Sequence, residues 1–279
     1  MNINIEIGTE EEKKLIKEEI NYVLSDFKNE NFEIVVPIDF DKHIQSKLGD
    51  DRFISNRSEL NQLVMGKLIG ENHLVLNPKI YTEYFNEQIR ANYYSHEFHH
   101  ILNKKRLVLN GLNPKDKKLI SLINFMFDEY SSNRFAFDRT KLLYSFDQTV
   151  EDYHSSIATG HFENFSNPQI YSSRIDSLIV EFQTRRISIM EFVGKIEPLI
   201  ERFSVELVSY FSIVDSLAID PELVNPSIMS LIEILRESYR NGISSFENQI
   251  PRVEEYLRIF GISVENHENG LYYNVFERE

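Results

Sequence analysis

A chain of 279 residues with 44 Asp and Glu against 30 Lys and Arg carries a net charge of −14, which excludes a general grip on nucleic acid or on an anionic membrane surface, since both need clustered cations. It has no cysteine, so disulfides and thiolate sites are excluded and any metal must be held by His and carboxylates. A hydrophobic share of 42% leaves material for a large core, and no apolar run approaches the length of a membrane span.

Asn2 to Ile7 alternates polar and apolar residues and is expected to be a strand. This opening, Met1 to Gly8, lacks the basic start and apolar run of a signal peptide, so a cytoplasmic protein is expected. Thr9 with Glu12 has the spacing of a capping box, and Ile16, Ile20, Val23 and Phe27 then recur at helical spacing. Phe32 to Pro37 (FEIVVP) reads as a buried strand. Gln62 to Ile69 and His73 to Asn77 read as two strands joined at Gly70-Glu71-Asn72, the second ended by Pro78. A helix is expected from about Thr82 to Lys105, and after Asn110-Gly111 a second from Asn113-Pro114 to about Leu143. Residues 146 to 260 read mainly as helices punctuated by Pro168, Gly194, Pro221, Pro226 and Pro251. Ile262 to Val275 reads as a terminal hairpin turning at Glu268-Asn269-Gly270. The expected class is α+β, in two parts: residues 1–145, and a mostly helical 146–279. The densest basic runs, Lys104-Lys105-Arg106 and Lys117-Lys118, read as solvated helix faces.

The chemistry concentrates in the first of the two long helices. His96-Glu97-Phe98-His99-His100 satisfies H-E-x-x-H. A helix turns about 100° per residue, so His96 and His100 end roughly 40° apart on one face, where two imidazoles can grip one zinc ion. Glu97 is turned about 100° from His96. From there it can take a proton from a zinc-bound water without ligating the metal. Ala91, Tyr94, Phe98 and Leu102 form the apolar stripe that packs this helix. A third ligand is needed, and the next helix offers Asp128 and Glu129. Glu129 lies in line with Leu122, Phe125, Asn133 and Ala136, whereas Asp128 lies with Ser121, Asn124 and Ser131. A carboxylate on an apolar line is costly unless it is paired or binds a metal. That favours Glu129, with Asp128 as the alternative and with Arg134 or Arg139 as competing partners for Glu129. His73 to Asn77 reads either as an edge strand beside the metal, which could hold a peptide by strand addition, or equally as an ordinary core strand.

HEFHH on a helix, LVLNP on a strand before it and DEYSSNRFA on the helix after it resemble the gluzincin class of metallopeptidases, nearest to the ImmA/IrrE-like group. The likeness covers roughly residues 60 to 140 and ends after Ala136, where FDRTKLL stands in place of that group's apolar run. It implies a zincin fold, Zn2+ held by His96, His100 and Glu129, and Glu97 polarising the water. It also implies a protein or peptide substrate. The expectation is therefore a zinc metallopeptidase hydrolysing peptide bonds by Glu97-assisted attack of a zinc-bound water. Two other readings stand beside it. One is a non-catalytic protein on a zincin scaffold that holds a regulatory partner through its C-terminal helices. The other is a helical protein in which H-E-x-x-H is coincidental and no metal binds. His99 is a further possible ligand, though a supporting or solvent-facing role suits it better. Tyr130, Arg134, Tyr153, His154 and His161 are the residue types able to donate to an oxyanion. His43, His73 and His267 read as surface residues without partners.

Overall fold

The computed structural model describes residues 1–27, 31–51, 53–57, 62–82, 86–103, 111–144, 148–221, 224–242, 246–268 and 270–276. They form a mixed α+β protein, largely helical, with one small mixed sheet. By internal contacts the chain divides into two compact units, Met1–Lys105 with Phe135–Phe146, and Arg106–Arg134 with Asp147–Glu279. Among the described residues no helix is long and apolar enough to cross a membrane.

The first unit is built on four strands: β1 (Asn2–Ile5), β2 (Glu33–Val36), β5 (Gly66–Ile69) and β6 (His73–Leu76). Their order is β1-β2-β6-β5, with β1, β2 and β6 parallel and β5 antiparallel to β6. Parallel strands are covered on both faces, so they read as continuous apolar runs, and FEIVV and HLVL are such runs. Ile3, Ile5, Ile34, Val36, Leu74 and Leu76 share one core with Ile20 and Val23 of helix α1 (Glu10–Val23) and with Ala91, Tyr94, Phe98 and Ile101 of α4 (Glu87–Asn103). Val75 joins a separate core with Phe40 and Ile44 of α2 (Phe40–Leu48). Helix α1 opens with the expected capping box: Thr9 Oγ1 accepts from the Glu12 amide, and the Glu12 carboxylate accepts from the Thr9 amide at 2.7 Å.

Several expectations need correction here. Helix α2 was not anticipated, although Asp39 caps its start and Gly49, at φ 66°, closes its end. The expected strand 62–69 is two short pieces, β4 (Gln62–Leu63), paired with β3 (Asn56–Arg57), and β5. The expected helix from about Thr82 starts later, as α4, and a short α3 (Lys79–Thr82) precedes it. Residues 83–85, 104–106 and 110 lie outside the described residues, and so does the Lys104-Lys105-Arg106 run. The Asn86 carboxamide accepts from the Ile89 amide at 2.9 Å and starts α4. Most important for the site, of the two readings of His73–Asn77 the core strand holds and the edge strand does not. β6 is flanked by β2 and β5, and β1 and β5 are the edges. Two short apolar strands joined by a hairpin do not reveal from sequence which of them faces outward.

Helix α5 (Pro114–Leu143) contributes to both units, its residues up to Arg134 to the second and those from Phe135 to the first. In the second unit α6 (Gln148–Ser166), α7 (Ser172–Gln183), α9 (Pro226–Asn241) and α10 (Ile250–Arg258) accompany the long α8 (Ile189–Leu217). From Phe203 to Val214 almost every residue of α8 is buried, Ser204, Glu206, Ser209 and Ser212 among them. Phe203 packs against Phe165, Tyr171, Tyr256 and Phe260. Gly194 was expected as a break, yet it lies inside α8, as does Pro198. Gly194 and Pro198 lie on the exposed side, and burial of Phe192, Ile196 and Ile200 on the opposite face carries the helix past the lost hydrogen bond and the glycine entropy. The terminal hairpin forms as expected, β7 (Ile262–His267) against β8 (Gly270–Val275), with Asn269 of its turn outside the described residues. Lys118, expected to be solvated, is half-buried and ion-paired with Glu197 at 2.8 Å.

Candidate metal centre

Helix α4 is fixed before its histidines are reached. The Arg90 guanidinium donates from Nε and Nη2 to the two carboxylate oxygens of Glu19 on α1, at 2.8 and 2.6 Å. The Tyr94 hydroxyl lies 2.8 Å from the same carboxylate and 2.6 Å from the Tyr81 hydroxyl. Burial, with Tyr81 and Glu19 beside it, holds the Tyr94 phenol well above its ordinary range, so it remains a neutral donor. A bidentate, largely desolvated pair of this kind sets both the rotation and the height of a helix. Phe98, one turn on, is fully buried between Phe27 and Phe32, with ring centroids 4.6 and 4.7 Å away.

With Tyr94 and Phe98 facing the core, His96 and His100 project together from a half-buried flank. Their Nε2 atoms are 3.0 Å apart and their rings are nearly perpendicular, at 86°. Two nitrogens bound tetrahedrally to zinc at about 2.0–2.1 Å stand roughly 3.3 Å apart, so the pair is spaced for one ion. Glu129, half-buried on α5, offers a carboxylate oxygen, and the ligand atoms of His96, His100 and Glu129 all lie within 4.8 Å of one another. Among the described residues this is the only group of three or more His, Asp or Glu so gathered. Asp128 is not part of it. Two imidazoles and a carboxylate are a donor set that zinc accepts with a fourth position left open, so the residues present fit the metal.

Glu97 is half-buried and lies against the edge strand. A Cβ placed on Gly66, the first residue of β5, would stand 2.5 Å from Glu97 Cγ, 2.6 Å from Cδ and 2.9 Å from Oε1. Only glycine permits that approach. Gly66 therefore belongs to the site, and sequence reasoning passed over it. The signal available was a glycine inside an apolar strand, which marks a bulge or a close approach of another group.

The remaining candidates separate. His99 is directed away, its ring stacked on Phe135 at 4.6 Å and its Nδ1 3.1 Å from the Asn103 carboxamide nitrogen. Arg139, a possible partner for Glu129, is buried and donates to the Val23 carbonyl at 2.7 Å and to Asp26 at 3.0 Å. The Tyr130 hydroxyl donates to Asp215 at 2.6 Å, where Arg236 also binds. Burial, first, and Asp215 raise its pKa. His161 is engaged by Glu206. Tyr130 and His161 are thus committed within the second unit. Arg134 is half-buried on α5 and His154 buried on α6, and the Tyr153 side chain lies outside the described set. No family model, no curated protein and no solved structure matches this chain.

Proposed function

We propose that the chain is a zinc metallopeptidase of zincin type, with His96, His100 and Glu129 as ligands, Glu97 as the catalytic base and a protein or peptide as substrate. The observation that carries the reading is the position of Glu97. Its carboxylate lies against the edge strand at Gly66, one residue from an imidazole pair spaced for a metal.

A zinc ion in this set supplies Lewis acidity and lowers the pKa of water toward neutrality. The protein does the rest. An extended peptide adds alongside β5 through its backbone N–H and C=O groups, which places a scissile carbonyl beside Glu97. Glu97 accepts a proton as the water oxygen bonds to the carbonyl carbon. It returns that proton to the amine nitrogen as the C–N bond breaks, leaving a carboxylate and an amine. Buried Tyr94 and Phe98 keep α4 from rotating, so the histidine pair and Glu97 retain their relation through the cycle.

The test is cleavage of a diverse library of unstructured peptides followed by mass spectrometry. Zinc-loaded protein is expected to cut a defined subset. A chelator should abolish cleavage, and one equivalent of zinc should restore it. Complete survival of the library under zinc loading would count against a peptidase.

A further inference from the structure

We propose that His43 and His73 form a second site for a divalent transition metal, separate from the His96–His100 pair. The two were expected to be unpartnered surface residues, yet their Nε2 atoms face each other at 3.4 Å and their rings lie parallel within 3°. That separation matches the roughly 3.3 Å expected for two imidazole nitrogens on one tetrahedral zinc. It is long for a hydrogen bond between them.

A second observation points the same way. The Glu33 carboxylate sits 2.7 Å from His73 Nδ1. A carboxylate there holds the proton on Nδ1, orients the ring and turns the Nε2 lone pair toward His43, the arrangement that supports metal-bound imidazoles. The spacing is set by packing. His43 rides on α2, whose Phe40 and Ile44 are buried against Val75 of β6, and His73 begins that same strand. His43 and His73 are both half-buried, which leaves room for water to complete the coordination. Two nitrogen donors favour Zn2+, Ni2+ or Cu2+ over Mg2+ or Ca2+, which want oxygen.

The site lies at the other end of the β5–β6 hairpin from Glu97. His73 pairs with Ile69 and Gly66 with Leu76, about 10 Å along the strands. A metal here would clip α2 to β6 across 30 residues of sequence. Binding only the folded state, it would stabilise this unit.

The probe is Zn2+ titrated calorimetrically into metal-stripped full-length protein. With two protein ligands against three, this site should be the weaker of two classes. His43→Ala and His73→Ala should each abolish the weaker class and leave the tighter one. Glu33→Gln should weaken it about 10- to 100-fold, and His96→Ala should remove only the tighter class. His43→Gln, with unchanged circular dichroism, guards against a folding defect in the alanine variant. A weaker class that persists in His43→Ala, His43→Gln and His73→Ala, or a wild type with a single class lost in His96→Ala, would overturn the proposal. Loss of the tighter class alone from the wild type would instead overturn the reading of the first site and leave this one standing.

Discussion

Glu97→Gln is expected to lower kcat/KM on a cleaved peptide by about 10³-fold while leaving zinc bound. General acid–base groups contribute about 10² to 10⁴, and the amide keeps nearly the shape of the carboxylate without its basicity. Zinc should remain, because the metal is assigned to His96, His100 and Glu129 and Glu97 stands outside that set. A kcat/KM within threefold of wild type in zinc-loaded Glu97→Gln would remove Glu97 from the mechanism. Loss of zinc would make it a ligand and not a base. Peptide cleavage and metal content measured on the same preparation separate these cases.

Gly66→Ala should be nearly as damaging, although Gly66 has no chemistry of its own. The added methyl carbon would stand 2.5 Å from Glu97 Cγ, well inside any tolerated contact, so Glu97 must move. A displacement of about 1 Å at a reacting group can cost about 10²-fold, and that is the expected fall in kcat/KM. The cost to stability should be about 1–3 kcal/mol, the usual range for overpacking. Zinc binding should be kept, since the imidazoles are not displaced. Peptide cleavage, urea melts and metal content check the three parts. Unchanged activity would mean that the strand does not position Glu97.

The parts of the fold legible in sequence were those with a local period. H-E-x-x-H gives the facing of His96 and His100 because four residues span one helical turn, and the capping box of α1 is read from Thr9 and Glu12 alone. Asn113 and Pro114 likewise mark the start of α5. What was not legible depends on residues far apart in the chain. Gly66 meets Glu97 and His43 meets His73 only after the sheet and α2 have folded. The choice of β5 over β6 as the edge strand is a property of the whole sheet. Helix α2 shows too few apolar residues to announce itself, with Phe40 and Ile44 inward and Leu48 exposed. In α8 the local signals pointed the wrong way, since Gly194 and Pro198 are breakers that sit exposed while Phe192, Ile196 and Ile200 pack the other face. At α5 the polarity of two helical lines favoured Glu129 over Asp128 as the third ligand. FDRTKLL takes part in the packing, since Phe137, Arg139 and Thr140 are buried and Arg139 ties α5 to the Val23 carbonyl.

The central claim is a zinc ion held by His96, His100 and Glu129. The most direct test is metal content by mass spectrometry on protein purified without added metal and dialysed, beside His96→Ala and Glu129→Ala. One tightly held zinc per chain in the wild type, lost or much weakened in both variants, is the predicted result. A wild type that takes up no tight zinc even when it is offered, or a tight zinc that survives both substitutions, would contradict it.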